Sequence, residues 1–537
     1  TGTGDLYIDA ATNFFVRNAG NNEVWIKGTD AGVSLRYQDS QKLITTATGI
    51  TVTGAVNGIP FYSDAANDSM YTHDVSATDD TAARNTAYGF AAMDAITTGD
   101  DNVAVGRTAL SALNTGISNV AIGSGAGDAI TSGQYNIAIG HGALTTEDTH
   151  GRNIAIGYQA LAAQNAGADA YNIAIGMETG KSITTGIQNT IIGGIAGDAL
   201  VAGSYNQVFG YNALGAETGA SRSTALGYFA LAVQNVGSGE ANNVAVGHAA
   251  GLEVTTGIRN TIIGNQAGDA LTTGSSNVAL GYGALSGEDA HSFNVAIGGY
   301  SLYNQNAGAD AYNTAVGYNT GFAISTGIQN TLIGGLAGDA LTTGVSNVAL
   351  GYASLSTSVD GDNNTAIGYA ALAVYEDGDG NGHNTAVGAS SQAAATTGEF
   401  NTSLGSLSMG TGVTTGDYNI ALGYAAGSAL TSGERNVLIG ANAGDAITTA
   451  EYCVAVGHGA LSAEDTTGST TAVGYKALNL QNAGAESYNV AVGFEAGKAV
   501  TTGKNNTIVG GLAADALTTG QYNVAIGYGA LTAEDSY

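Results

Sequence analysis

The amino-acid sequence predicts an all-β protein: a parallel β-roll or β-solenoid of about 26 coils of 17–20 residues, after an N-terminal β-rich segment. Three observations carry this prediction. First, one phrase recurs from residue 85 to the end of the chain, as "NIAIGHGAL" from Asn136, "NVALGYGAL" from Asn277 and "NVAIGYGAL" from Asn523. Second, the apolar triplet inside the phrase alternates, as in Val524, Ala525 and Ile526, and alternation is the period of a strand. Third, side chains are small. Of 537 residues 83 are Gly, 10 are Phe and 4 are Met, so a large core of bulky residues is not available.

Taken in chain order, residues 1–59 contain "LYI", "FFVR", "EVWIK", "VSLRY" and "ITVTG", short alternating runs at roughly ten-residue spacing that read as strands of an N-terminal β-rich fibre segment. Residues 60–84, from Pro60 through "SDAANDSMYTHDVSATDDTAAR", are polar and acidic and read as a junction. Residues 85–537 hold the repeats. Units aligned on the residue before the triplet start at Asn85 and end with the unit at Asn523. Asn holds this first place everywhere except at Ser223, Cys453 and Thr470. Most steps are 17 residues, and longer ones follow 153, 223, 294, 364 and 470, which marks a second order of four units, broken once near residue 401. In that order one unit carries "AGDA" (Asp198, Asp269), the next "GAL" with an "ED" pair (Glu147–Asp148, Glu288–Asp289), the third an insertion such as "QNAGADAYN" at 164–172, and the fourth "TTGIQN".

A unit this short cannot bury a core alone, so each is expected to be one coil, hydrogen-bonded to the coils above and below in fixed register. The recurrent Asn fits a turn whose side chain bonds backbone, and stacked amides form a ladder. The second apolar points, such as Leu285 and Leu341, read as the far side of a flattened roll. A hexapeptide-type triangular helix fails, because stepping by six from Ile263 reaches Asp269 and then Ser275. Within the triplet Val and Ile point one way and Ala the other. The Ala face is expected to lie against another copy of the chain, since small residues permit close approach.

The charge is −30, from 44 acidic and 14 basic residues, which opposes nucleic-acid binding. No apolar run reaches the length of a membrane span. The single Cys453 allows no intrachain disulfide, and in a ladder position it reads as inert. A chain starting at Thr1 without Met reads as a fragment or processed product.

Two kinds of residue are candidates for binding. The place after the coil Gly is often aromatic or His, and Tyr158, Tyr211, Tyr228, Tyr282, Tyr318, Tyr352 and Tyr369 are expected to form a broken line of rings on which sugars could stack. The alternative is that these rings cover the roll's edge or pack between copies. The loop 376–384, "EDGDGNGHN", opens like a calcium loop with Asp377, Asp379 and Asn381, and "VDGDNN" one coil earlier adds Asp360 and Asp362. Calcium is therefore the expected cofactor, if there is any, although Gly388 stands where the closing Glu would be. The repeated acid pairs read as surface decoration, because a catalytic pair should occur once in a distinct groove. No nucleophile–His–Asp set, phosphate loop or zinc spacing is present, so the expectation is no enzyme.

The phrase "N-x-A-[IVL]-G" with "GxxAL" and "TTG" resembles the head repeats of trimeric autotransporter adhesins. The segment 30–56, "DAGVSLRYQDSQKLITTATGITVTGAV", resembles a segment common in phage tail-fibre proteins through Asp39, Lys42, Leu43, Thr45, Thr46, Gly49, Val52, Thr53 and Gly54, and departs from it at Arg36 and Gln41. These resemblances imply a left-handed homotrimeric fibre in a virion tail or an extracellular setting. Its other partners would be tail or fibre proteins and a host-surface glycan or protein receptor, with no membrane insertion. A filament without a receptor is the alternative, and a polysaccharide depolymerase is a third reading.

Overall fold

The computed structural model describes residues 13–17, 24–29, 32–37, 40–46, 49–52, 55–56, 59–60, 62–64, 69–72, 81–376 and 382–533. The chain divides into two compact units, Thr1–Gly194 and Ile195–Tyr537. In the first, β1 (Asn13–Arg17), β2 (Val24–Thr29), β3 (Gly32–Tyr37), β4 (Ser40–Thr46) and β5 (Gly49–Val52) form an antiparallel meander in sequence order. Four of the five runs read as strands map onto this meander. "LYI" at 6–8 lies outside the described residues, and β4 was not among the runs singled out. Within 60–84, Tyr62–Asp64 pairs antiparallel with Ser69–Tyr71, which pairs in parallel with the first coil strand, Thr86–Tyr88. A paired hairpin arm thus covers the edge of the first coil.

From there the solenoid is as the repeat implies. The first unit holds seven coil strands, Thr86–Tyr88 to Thr190–Ile192, and the second nineteen, Gln207–Phe209 to Val524–Ile526. Within each unit every coil strand is three residues long and pairs in parallel with the next without slippage, as in Val103↔Val120 and Val120↔Ile137. Two features end the strand after three residues. The next residue is Gly in every coil, with φ of 142° at Gly264, a conformation that L side chains rarely adopt. A Cβ at Gly264 would also lie 2.3 Å from the Gly281 carbonyl oxygen. The opposite wall consists of turns, yet it is laddered too: Leu110 N donates to Ala126 O (3.0 Å) and Asn114 N to Thr131 O (2.9 Å). Backbone groups of both walls therefore find partners in neighbouring coils.

The interior reverses one expectation. The middle Ala of the triplet, such as Ala104, Ala245 and Ala421, is fully buried inside the coil, while the flanking Val, Ile and Leu face outward and are partly exposed. The roll is too thin for two bulky layers. Strand Ala leaves space for the turn-wall side chains, such as Leu285 and Leu341, which are fully buried. The apolar face left open is the β-branched one, not the Ala one.

The four-coil order is a packing order. Eight and eleven places after the first Asn the coils from Asn206 carry Leu214 with Glu217, Leu231 with Gln234, Gly251 with Val254, and Gly268 with Leu271. Gly at the eighth place makes room for a branched residue at the eleventh: a Cβ at Gly251 would lie 3.2 Å from Val254 Cγ2 and 2.9 Å from Ile262 Cδ1. Where two such glycines follow one another, the strand's middle residue enlarges from Ala to Ile262 and fills the gap.

Candidate functional site

The buried amide ladder comes first because it fixes the positions of everything else. Asn119 N donates to Asn102 Oδ1 (2.9 Å), and Asn119 Nδ2 donates to Asn102 Oδ1 (3.1 Å) and to Gly133 O (2.9 Å). The same three bonds recur at Asn330, Asn347 and Asn436. These amides are saturated and buried, so the Asn row is structural. Cys453 keeps one rung, its N donating to Asn436 Oδ1 (2.9 Å), and burial pushes its thiol up to about 12, which leaves it protonated and unreactive.

The seven candidate tyrosines are all exposed, but they do not form one line. Tyr211 stacks on Tyr228 with ring centroids 5.5 Å apart, and Tyr228 stacks on His248 at 5.4 Å. Tyr352 stacks on Tyr369 at 5.9 Å, and Tyr158 on His141 at 5.6 Å. Tyr282 and Tyr318 belong to none of these three stacks; each makes an edge contact with Tyr300. Their spacing is close to the coil rise of about 4.8 Å, so the faces of neighbouring rings cover one another. The outer faces and hydroxyls of each short stack remain open.

A second row lies at the residue before each ladder Asn. His383, Phe400 and Tyr418 stack at 4.9 and 5.1 Å, and Arg435 lies 5.7 Å from the ring centres of both Tyr418 and Tyr452. Arg152 sits between Tyr135 and Tyr171 in the same way. These residues have positive φ, 61° at Tyr418 and 58° at Tyr452, which turns the side chain outward. The signal was present in the sequence as Tyr, Phe, His or Arg directly ahead of the Asn. Tyr452 also lines a polar groove of about 400 Å³ with Glu451, Thr466, Ser469 and Glu486.

Of the residues assigned to calcium, Asp377, Asp379 and Asn381 lie outside the described residues. Asp362 Oδ1 accepts a hydrogen bond from Val345 N (2.6 Å), and Asp360 Oδ1 is buried without a partner. Neither belongs to a group of three ligating side chains among the described residues. Two such groups occur elsewhere, at Glu147, Asp148 and His150 and at Glu288, Asp289 and His291, with ligand atoms within 4.8 Å of one another, and either could hold a divalent metal.

The acid pairs are not surface decoration. Glu147, Glu217, Glu288 and Glu464 are fully buried at the eleventh place, under the turn wall. Their carboxylates accept from backbone N–H groups of the loop that follows, as Glu217 Oε1 does from Gly219 N (2.9 Å) and Ala220 N (2.8 Å). Burial pushes the Glu147 and Glu464 carboxyls above the usual range.

With this geometry the chain defines itself as a large parallel β-solenoid repeat protein. No protein-family model and no curated protein matches it. Among the described residues no helix is long and apolar enough to cross a membrane.

Proposed function

We propose that this chain is a fibre protein without enzymatic activity: a left-handed β-solenoid that assembles as a homotrimer through the outward Val, Ile and Leu face of its strands and attaches a particle, in the manner of a phage tail fibre, to a host-surface glycan. The observation that carries the reading is the repetition itself. Coil after coil presents an outward apolar residue at the triplet's third place, a Val, Ile, Thr or Gln at its first, and the same two ring positions, so the surface suits many weak, equivalent contacts rather than one reaction centre. Glycan binding is supported by the exposed ring stacks and by the groove beside Tyr452, where a ring, hydroxyls and two carboxylates converge.

A filament with no receptor is the second reading, and the mutual stacking of the rings favours it. Two variants separate the readings: Tyr352→Ala with Tyr369→Ala, and Tyr418→Ala with Tyr452→Ala. On immobilised host-surface polysaccharide the wild-type chain is expected to bind and at least one variant to lose about tenfold in affinity, as about 1.4 kcal/mol of lost stacking would give. Equal retention of all three chains would leave the filament reading standing.

A further inference from the structure

Four coils carry a buried glutamate at the same station, and each is followed one coil later by a buried glutamine: Glu147 with Gln164, Glu217 with Gln234, Glu288 with Gln305, and Glu464 with Gln481. At Glu217 both oxygens are satisfied. Its Oε2 accepts from Gln234 Nε2 (3.0 Å) and Val236 N (3.1 Å), and neither Asp nor His follows in its loop. At Glu288, Oε1 accepts from His291 N (3.0 Å) and lies 2.9 Å from His291 Nδ1, but Oε2 has no partner. The glutamine that would supply a donor is turned away, Gln305 Nε2 donating instead to Ser325 O (3.3 Å). Glu147 repeats this in part: Gln164 Nε2 donates to Thr184 O (3.2 Å), and Oε2 keeps only a 3.5 Å contact with Asn153 Nδ2, but His150 Nδ1 lies 3.9 Å from Glu147 Oε1 and 3.0 Å from Thr149 Oγ1. These two loops are the ones that read E-D-x-H.

We propose that Glu288, Asp289 and His291 bind a divalent transition-metal ion of the Zn²⁺ class, and that Glu147, Asp148 and His150 form a second copy of the site. A fully buried carboxylate with one oxygen lacking a donor, an imidazole nitrogen against its other oxygen and a second carboxylate within 4.8 Å is a place where a cation supplies the missing partner and offsets the cost of burying charge. The 2.9 Å between His291 Nδ1 and Glu288 Oε1 is a hydrogen-bond distance, and opening it by about 0.5 Å gives the roughly 3.4 Å that separates two ligand atoms bonded at about 2.1 Å to a tetrahedral Zn²⁺. One nitrogen with two carboxylates favours Zn²⁺ over Ca²⁺, which takes oxygen ligands. Access is open: the His150 and His291 side chains are 32% and 18% exposed. The sites fall one in each unit, 141 residues and eight coils apart in sequence. The loop at Glu464 marks the limit of the pattern. Its Oε2 is also without a partner, but Thr467 stands in the place of the histidine, so it offers no nitrogen and is not a third site.

The test is calorimetric titration of Zn²⁺ into the chelator-treated, tag-free full chain. Two ions per chain are expected, with both sites weakened about a hundredfold or more in His150→Gln/His291→Gln. Far-UV circular dichroism of this variant should match wild type, since both histidines lie outside the coil strands and Gln keeps a donor for the glutamate. A readout that needs no variant is Co²⁺: a visible d–d band is expected on the wild-type chain, bleached by added Zn²⁺. Absence of Zn²⁺ uptake and of the Co²⁺ band, or equal uptake by the double variant, would overturn the proposal.

Discussion

In all coils but those of Ser223, Cys453 and Thr470 an asparagine stands where its side chain can join its own coil to the next. Asn260 Nδ2 donates to Gly274 O (2.9 Å), and its Oδ1 accepts from Asn277 N (2.9 Å). Asn260→Ala would leave both backbone groups buried and unpaired, at about 1–3 kcal/mol each, and urea unfolding should register a loss of that size. The converse change is Cys453→Asn. At present Cys453 Sγ lies 3.9 Å from Thr467 O, a weak contact where a rung such as Asn436 has an amide bond to Ala450 O (2.8 Å). Restoring the amide should raise stability by about 1 kcal/mol, and an unchanged or lower melting temperature would count against the ladder's energetic role. Buried Glu464 gives a pH test. Burial raises its folded-state pKa, so above the unfolded carboxyl range the native state holds more protons than the unfolded one. Stability from this group is therefore present at acid pH and falls as pH rises through the raised value. Glu464→Gln should flatten that part of the wild-type pH–stability profile. The ladder was legible in the sequence because it recurs whatever its neighbours are. The burial of the glutamates was not, because a charged residue beside Asp in a Gly-rich loop reads as solvated until the turn wall is seen to close over it.

A coil is legible as an element because its period is strict, but its inside and outside are not. Alternation states that Ala and Val face opposite ways, and it leaves open which face is inward. Habit places the larger residue inside. Here the thin roll reverses this, since the turn wall brings its own Leu and Ile, and only Ala fits opposite them. The four-coil order could have been read as packing from the exchange of Leu–Glu and Leu–Gln for Gly–Val and Gly–Leu, a trade of volume between two places in one coil. Ile262 tests this. It fills the space above Gly251 and Gly268, where a Cβ would lie 2.9 and 3.5 Å from its Cδ1. Ile262→Ala should open a cavity that rigid coils cannot close, at a cost of about 2–5 kcal/mol. A loss below about 1 kcal/mol, measured by denaturant unfolding at unchanged m-value, would mean that the coils slide together and that the order is not one of volume.

At the scale of the molecule the question is what covers the outward strand face. In the second unit nineteen strands at about 4.8 Å, each three residues wide, give a face of roughly 90 Å by 10 Å, on the order of 900 Å². Thr or Gln occupies ten of its nineteen first places, as at Thr261 and Thr331, but the third places stay apolar, with Leu280 42% and Leu350 44% exposed. With 28 of 38 outward places apolar, about 650 Å² of this face is apolar, just above the about 300–600 Å² of the largest patch on an ordinary monomer, so water is a poor partner for it. Another copy of the same chain is a good one, because its face has the same period and can match coil for coil. The opposing term is charge, since every copy brings −30. Self-association should therefore tighten as salt screens the repulsion, the reverse of an association driven by opposite charges. Sedimentation at micromolar concentration should show a trimer at 0.5 M salt. Leu280→Lys with Leu350→Lys should shift it to monomer without loss of β-sheet signal, because both side chains lie outside the coil. A wild-type chain that sediments as a stable monomer across that salt range would show that the strand face is tolerated in water and that the assembly argument fails.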